Sequence, residues 1–239
     1  MGLRERFDRE LERLKDAILV LGSHVEEAIA AAVTALRERD SEGSRRVIAQ
    51  DRVINESRFE IEADALTLIA TQQPMARDLR VIAAVLDIAS ELERMGDYAK
   101  GIARITLMLD GRPFGAPLVE LAGMASITRD MLHESLDAFA RGDAVLAHAV
   151  PKRDDEVDAL YNQIYRELID AIVADPSRID RANHLLWAAH NLERAADRVT
   201  NICERVIFSV TGEMIEMDAE GTRLESAADD GWLAQAFWS

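Results

Sequence analysis

Oxygen-bearing side chains spaced four residues apart recur through this sequence, and they are the residues best placed to do chemistry. The first half carries Asp51 with Asn55 and Glu93 with Asp97; the second carries Asp154 with Asp158 and Glu193 with Asp197. Residues four apart stand about one turn apart on one helix face. All eight are oxygen donors, which suits hard cations such as Mg²⁺, Ca²⁺, Mn²⁺ or Fe³⁺ and argues against a structural zinc site. Two carboxylates about 6 Å apart repel by roughly 3 kcal/mol at an effective dielectric near 20. A bound cation or shared protons would offset that cost. Asp51 and Asp154 even fall on apolar stripes (Val47-Asp51-Ile54 and Val150-Asp154-Val157), where a core residue is expected. The rival reading is a solvated acidic face whose charges are paired locally by Arg52, Arg94 and Arg194.

The elements that must position these groups are long helices. Phe7, Leu11, Leu14, Ile18, Leu21, Val25, Ala28, Ala32 and Leu36 step by threes and fours, the period of one apolar helical stripe. Val47, Ile54, Ile61 and Leu68 recur every seven residues in the next segment, and a third runs from Leu79 to Leu109. No stretch alternates as a half-buried strand does, and none of the five prolines is expected to interrupt a helical period. Long helices joined by short turns pack as antiparallel bundles. Internal similarity sharpens this. LERMGDYAKGI (92–102) returns as LERAADRVTNI (192–202), and ALRERD…QDRVIN (35–55) returns as AFARGD…RDDEVD (138–158).

The sequence therefore predicts an all-α chain of six long antiparallel helices in two three-helix repeats, 1–110 and 118–220. A linker at 111–117 joins them, and a C-terminal tail at 221–239 falls outside both. Folding each second helix back on its third around Pro74 sets Asp51 level with Asp97 and Asn55 level with Glu93. The Asp175-Pro176 turn does the same for Asp154 with Asp197 and Asp158 with Glu193.

Composition removes other classes. The 239 residues hold 44 acids against 28 bases, a net charge of −16, which opposes nucleic-acid binding. The single cysteine, Cys203, excludes a disulfide framework and is expected to pack as a small apolar side chain in a reducing cytoplasm. The charged N-terminus is not expected to act as a secretory signal, and no apolar run is expected to be long enough for a membrane span. There is no Gly-rich phosphate loop, no nucleophile elbow and no Glu-x-x-His pair of the di-iron kind. No catalytic residues are assigned, and an enzyme is not expected. His190 lies one turn before Glu193, but its counterpart in the first repeat is Ser90, so it is not counted among the ligands.

The segments QQPMARDLR (72–80), ELERMGDYAKGI (91–102), NLERAADRVTNICERV (191–206) and VTGE (210–213) resemble the PhoU family of phosphate-transport accessory proteins. The duplicated LER-x-x-D within two three-helix units is the specific feature. The resemblance implies two three-helix bundles related by a pseudo-twofold. It also implies metal sites at Asp51, Asn55, Glu93 and Asp97 and at Asp154, Asp158, Glu193 and Asp197, holding iron, manganese or magnesium, singly or as multinuclear clusters. Asn55 stands where the pattern often has Asp, and Ala196 where it usually has Gly. The implied function is a cytoplasmic, homodimeric regulator, peripherally associated with membrane complexes but not inserted. It would link the phosphate ABC transporter, on its ATPase side, to the phosphate-sensing histidine kinase, and so restrain uptake and the phosphate-starvation response. The alternatives are an accessory protein of a low-affinity phosphate permease and a helical scaffold with no phosphate role.

Overall fold

In the computed structural model, residues 3–109 and 117–217 are described. The first repeat is α1 (Leu3–Glu38), α2 (Ser41–Gln72) and α3 (Ala76–Met108). The second is α4 (Leu118–Arg141), α5 (Ala144–Ala149), α6 (Asp154–Ala174) and α7 (Ile179–Thr211). A 3₁₀ segment, Val150–Arg153, joins α5 to α6, so the two read end to end as one long helix and six long helices result. No strand forms among the described residues. The linker expected at 111–117 and the tail at 221–239 lie almost wholly or wholly outside them.

The predicted stripe on α1 is the one that packs. All nine of its residues, Phe7 through Leu36, are 7% exposed or less. On α2 the heptad residues Val47, Ile54, Ile61 and Leu68 are likewise buried. Helix α1 also contains one 18-residue stretch with mean hydropathy 1.5, long and apolar enough by length and composition to cross a membrane. This departs from the expectation that no run would qualify. In the bundle, Ile18, Leu21, Val25 and Ile29 of that stretch are at most 1% exposed.

Short turns enforce the antiparallel order. Gln73, at φ 47°, closes α2 by donating its backbone N–H to Ile69, and Pro74 then forbids continuation. Gly142, at φ 64°, closes α4 in the left-handed conformation that glycine adopts at little cost. Asp143 then caps α5, its Oδ1 accepting from the backbone N–H groups of Val145 and Leu146 at 3.0 Å each. Pro151 corrects the expectation that no proline interrupts a helix. Lacking an N–H and crowding the preceding carbonyl, it turns four residues of the fifth long helix into 3₁₀, whereas its counterpart α2 runs unbroken.

Within the first repeat α1, α2 and α3 all touch; within the second, α4, α6 and α7 do, and the repeats meet through α3 against α7 and α1 against α4. The α3–α7 seam is antiparallel and reproduces itself under exchange of the repeats. Asn201 Nδ2 donates to Glu91 Oε2 at 3.3 Å. In the equivalent place Asn191 covers Gly101 so closely that a Cβ there would lie 3.1 Å from Asn191 Nδ2. Arg198 adds a bond to Glu91 at 3.3 Å, and the Arg194 guanidinium lies 4.7 Å from the centre of the Tyr98 ring. Between α1 and α4, Gly22 makes room for the Leu136 side chain.

Leu192 on α7 is fully buried, whereas Trp187, one and a half turns earlier, is 54% exposed. Leu192→Ala is expected to lower unfolding free energy by about 2–5 kcal/mol. Trp187→Ala should stay within about 0.5 kcal/mol. Urea titration followed by circular dichroism measures both.

Candidate functional site

The four-residue pairs come together as the hairpin register requires. In the second repeat Tyr161 and His190, equidistant from the Pro176 turn, have ring centroids 6.3 Å apart. In the first, Ile54 on α2 lies directly against Gly96 on α3, where a Cβ would come within 3.0 Å of its Cδ1. That packing supplies a reason for glycine beside Asp97.

Asp51 is 7% exposed, projecting from the middle of α2 toward α3. Its Oδ2 accepts from Lys100 Nζ at 2.6 Å and from Asn55 Nδ2 at 3.1 Å, and Lys100 also reaches Asp97 Oδ1 at 3.3 Å. Asp51 Oδ1 is buried with no hydrogen-bond partner. The bond to Asp51 holds the Lys100 ammonium above its usual range. Glu93 completes the set, its carboxyl raised by burial and then by the neighbouring Asp97 charge, with Arg58 opposing. Sequence reasoning missed Lys100. Its spacing three residues after Asp97, on the same helix face, was the available signal.

Asp154, in the first turn of α6, is 5% exposed, and its Oδ1 is also buried without a hydrogen-bond partner. Burial, then the charges of Asp197, Asp158 and Glu193, push its carboxyl up to about 7. Asp158 is raised chiefly by burial. Glu193 and Asp197 are raised by burial as well; Asp197 and Asp158 add to the shift at Glu193, and Arg198 opposes the shift at Asp197. After burial, the charges that raise Asp154 most are thus those of the other three carboxylates predicted to cluster with it. His190, not counted from sequence, sets Nδ1 3.1 Å from Glu193 Oε2.

The arginines that could have neutralised these acids are engaged elsewhere. Arg52 pairs with Glu56 at 3.4 Å, Arg94 with Glu91 at 2.8 Å, and Arg194 stacks on Tyr98. Arg94 and Arg194 act on Glu93 and Asp197 only through their fields. Cys203 is fully buried and its thiol is pushed up by burial, as its assignment to the apolar packing requires.

The donor chemistry fits a hard cation. Each set offers carboxylate oxygens, and each leaves at least one buried oxygen without a hydrogen bond, a costly arrangement unless some group meets it. Among the described residues no three His, Cys, Asp or Glu side chains form a ready-made cage. A cation would therefore have to draw the mutually repelling carboxylates inward.

Fold and site together define a duplicated helical bundle carrying, in each repeat, one oxygen-donor set built around a buried aspartate. The PhoU domain matches the chain twice, over 18–106 and 121–206, and the chain belongs to the PhoU family. It is 35% identical over 216 residues to the phosphate-specific transport system accessory protein PhoU homolog of Clostridium acetobutylicum, covering 90% of this chain and 99% of that one. The crystal structure of the phosphate transport system regulatory protein PhoU from Streptococcus pneumoniae superposes with a TM-score of 0.82 at 33% identity, covering 88% of this chain and all (100%) of that one. PhoU from Pseudomonas aeruginosa gives 0.81 at 38% identity, with coverages of 87% and 100%.

Because the Asp154 carboxyl is raised to about 7 from 3.8, ionising it opposes folding. That cost is absent below about pH 4, grows as pH rises towards 7 and is complete above it. In the metal-free chain, Asp154→Asn should raise stability at pH 8 by roughly 2–4 kcal/mol and change it little at pH 4. Thermal denaturation across that range gives the answer, and an unaltered or lower melting temperature at pH 8 would refute the assignment.

Proposed function

We propose that this chain is a non-catalytic regulatory adaptor of phosphate transport, acting on the cytoplasmic side of the membrane. It couples the phosphate ABC transporter, through its ATPase side, to the phosphate-sensing histidine kinase. When phosphate is plentiful it restrains both uptake and the starvation response. The observation that carries this reading is correspondence over nearly the full length of proteins named as phosphate-specific transport accessory proteins, 99% of the Clostridium relative among them.

Surface chemistry supports an adaptor. A net charge of −16 favours basic loops on a partner. Tyr165, Ile169 and Val173 recur every four residues on α6 and are 40% exposed or more, and Ile179 and Trp187 stand similarly open on α7. Apolar side chains presented along a helix in this way suit docking against partner helices. The elongated faces also suit a homodimer. In this reading hard cations serve as structural or regulatory elements and have two candidate donor sets: Asp51, Asn55, Glu93 and Asp97 in one repeat, Asp154, Asp158, Glu193 and Asp197 in the other. An ion held there would screen the buried carboxylates and tie the second helix of a repeat to its third.

Cells lacking the gene and grown in high phosphate are expected to accumulate phosphate and polyphosphate, and the restored chain should reverse this. Direct assay of both pools decides it; unchanged pools in the deletion strain would overturn the regulatory reading.

A further inference from the structure

The two oxygen-donor sets share a backbone plan but differ at two equivalent positions. Asn55 in the first repeat corresponds to Asp158 in the second, and Lys100 to Thr200. One substitution removes a negative charge from the first set and the other adds a positive one, so the second set is more negative by two units.

The geometry makes this difference consequential. Lys100 Nζ bridges α2 and α3 by bonding Asp51 Oδ2 at 2.6 Å and Asp97 Oδ1 at 3.3 Å, and Asn55 Nδ2 takes Asp51 Oδ2 as well at 3.1 Å. An ammonium thus occupies the position between facing carboxylates that a cation would need, and its side chain is only 22% exposed. In the second repeat nothing equivalent fills the gap. Thr200 is 8% exposed, and its Oγ1 is buried with no hydrogen-bond partner. Asp158, unlike Asn55, offers only acceptors when ionised. Asp154 Oδ1 is buried and unmet. The cationic groups near this set are His190, beside Glu193; Arg194, stacked on Tyr98; and Arg198, bonded to Glu91 at 3.3 Å. None of them bridges α6 to α7 as Lys100 bridges α2 to α3.

We infer that Lys100 is a built-in cation that closes the first set to metal, so that a hard di- or trivalent cation binds this chain at the second set alone. This rests on the reading of the acid sets as cation sites and narrows it to one repeat. A lysine tied to the chain acts as an intramolecular competitor for the same oxygens. At the second set a free cation meets no such rival.

The test uses the full chain, stripped with chelator and dialysed against Mn²⁺, with bound metal counted by elemental mass spectrometry and affinity measured by calorimetry. Asp154→Asn with Asp197→Asn should weaken Mn²⁺ binding at least tenfold, while Asp51→Asn with Asp97→Asn should leave it unchanged. Lys100→Thr should add a second equivalent of Mn²⁺, removed again by the Asp51 and Asp97 changes. Lys100→Met, which keeps most of the stem, guards against loss of packing, and circular dichroism confirms that each variant folds. Two equivalents bound with similar affinity by the unaltered chain, or binding abolished by the first-set changes alone, would overturn the role of Lys100. No Mn²⁺ on any variant would instead refute the cation reading itself, and the inference with it.

Discussion

The seam between α3 and α7 is the constraint on which the rest of the molecule depends. Each of these helices must serve its own repeat and the opposite repeat at once, so its circumference is divided. Glu91, Tyr98 and Gly101 are given to the seam, where they meet Asn201, Arg198, Arg194 and Asn191. Leu92, Met95, Ala99 and Ile102 are buried in the apolar core. Glu93 and Asp97 are left on the flank that α2 approaches, where Lys100 ties Asp97 to Asp51. The same division on α7 leaves Glu193 and Asp197 to α6. The acids on α3 and α7 stay partly open on those flanks, Asp97 with half its side chain exposed, and the members closed off from solvent are the facing Asp51 and Asp154.

Burial of that kind has to be compensated, and the two repeats do so differently on one backbone plan. The first supplies a lysine from within, together with an amide where the second has a fourth acid. The second leaves its carboxylates facing one another, and Asp154 is raised to about 7, first by its burial and then by that repulsion. Duplication fixes where donor groups stand; single substitutions then decide whether a position repels, neutralises or attracts. A bundle built from two copies can therefore hold two different electrostatic sites without any change of fold.

Much of this was readable before any coordinates, because the rules involved are short-ranged. The stripe on α1 follows from a period of threes and fours, and the levels of the acid pairs follow from tight turns at Pro74 and Pro176. What escaped depends on reach across space. A lysine in a helical segment looks solvated until the distance to the facing helix is known, so Lys100 passed unremarked. Arg52, Arg94 and Arg194 were plausible partners by spacing, yet Glu56, Glu91 and the Tyr98 ring engage them instead. Pro151 was legible as a proline but not as a break, since the apolar period continues on both sides of it.

The burial of Cys203 has a practical consequence for studying the molecule in solution. The chain has a single cysteine, and its thiol is sealed in the core and held protonated by its surroundings. Thiol reagents act on exposed thiolates, so the folded surface is silent to maleimides and to nitroxide reagents. A cysteine introduced on any exposed helical position would carry its label alone. Pairs of such labels, one on each repeat, would turn the separation of the two bundles into a spectroscopic distance without first having to remove a native residue.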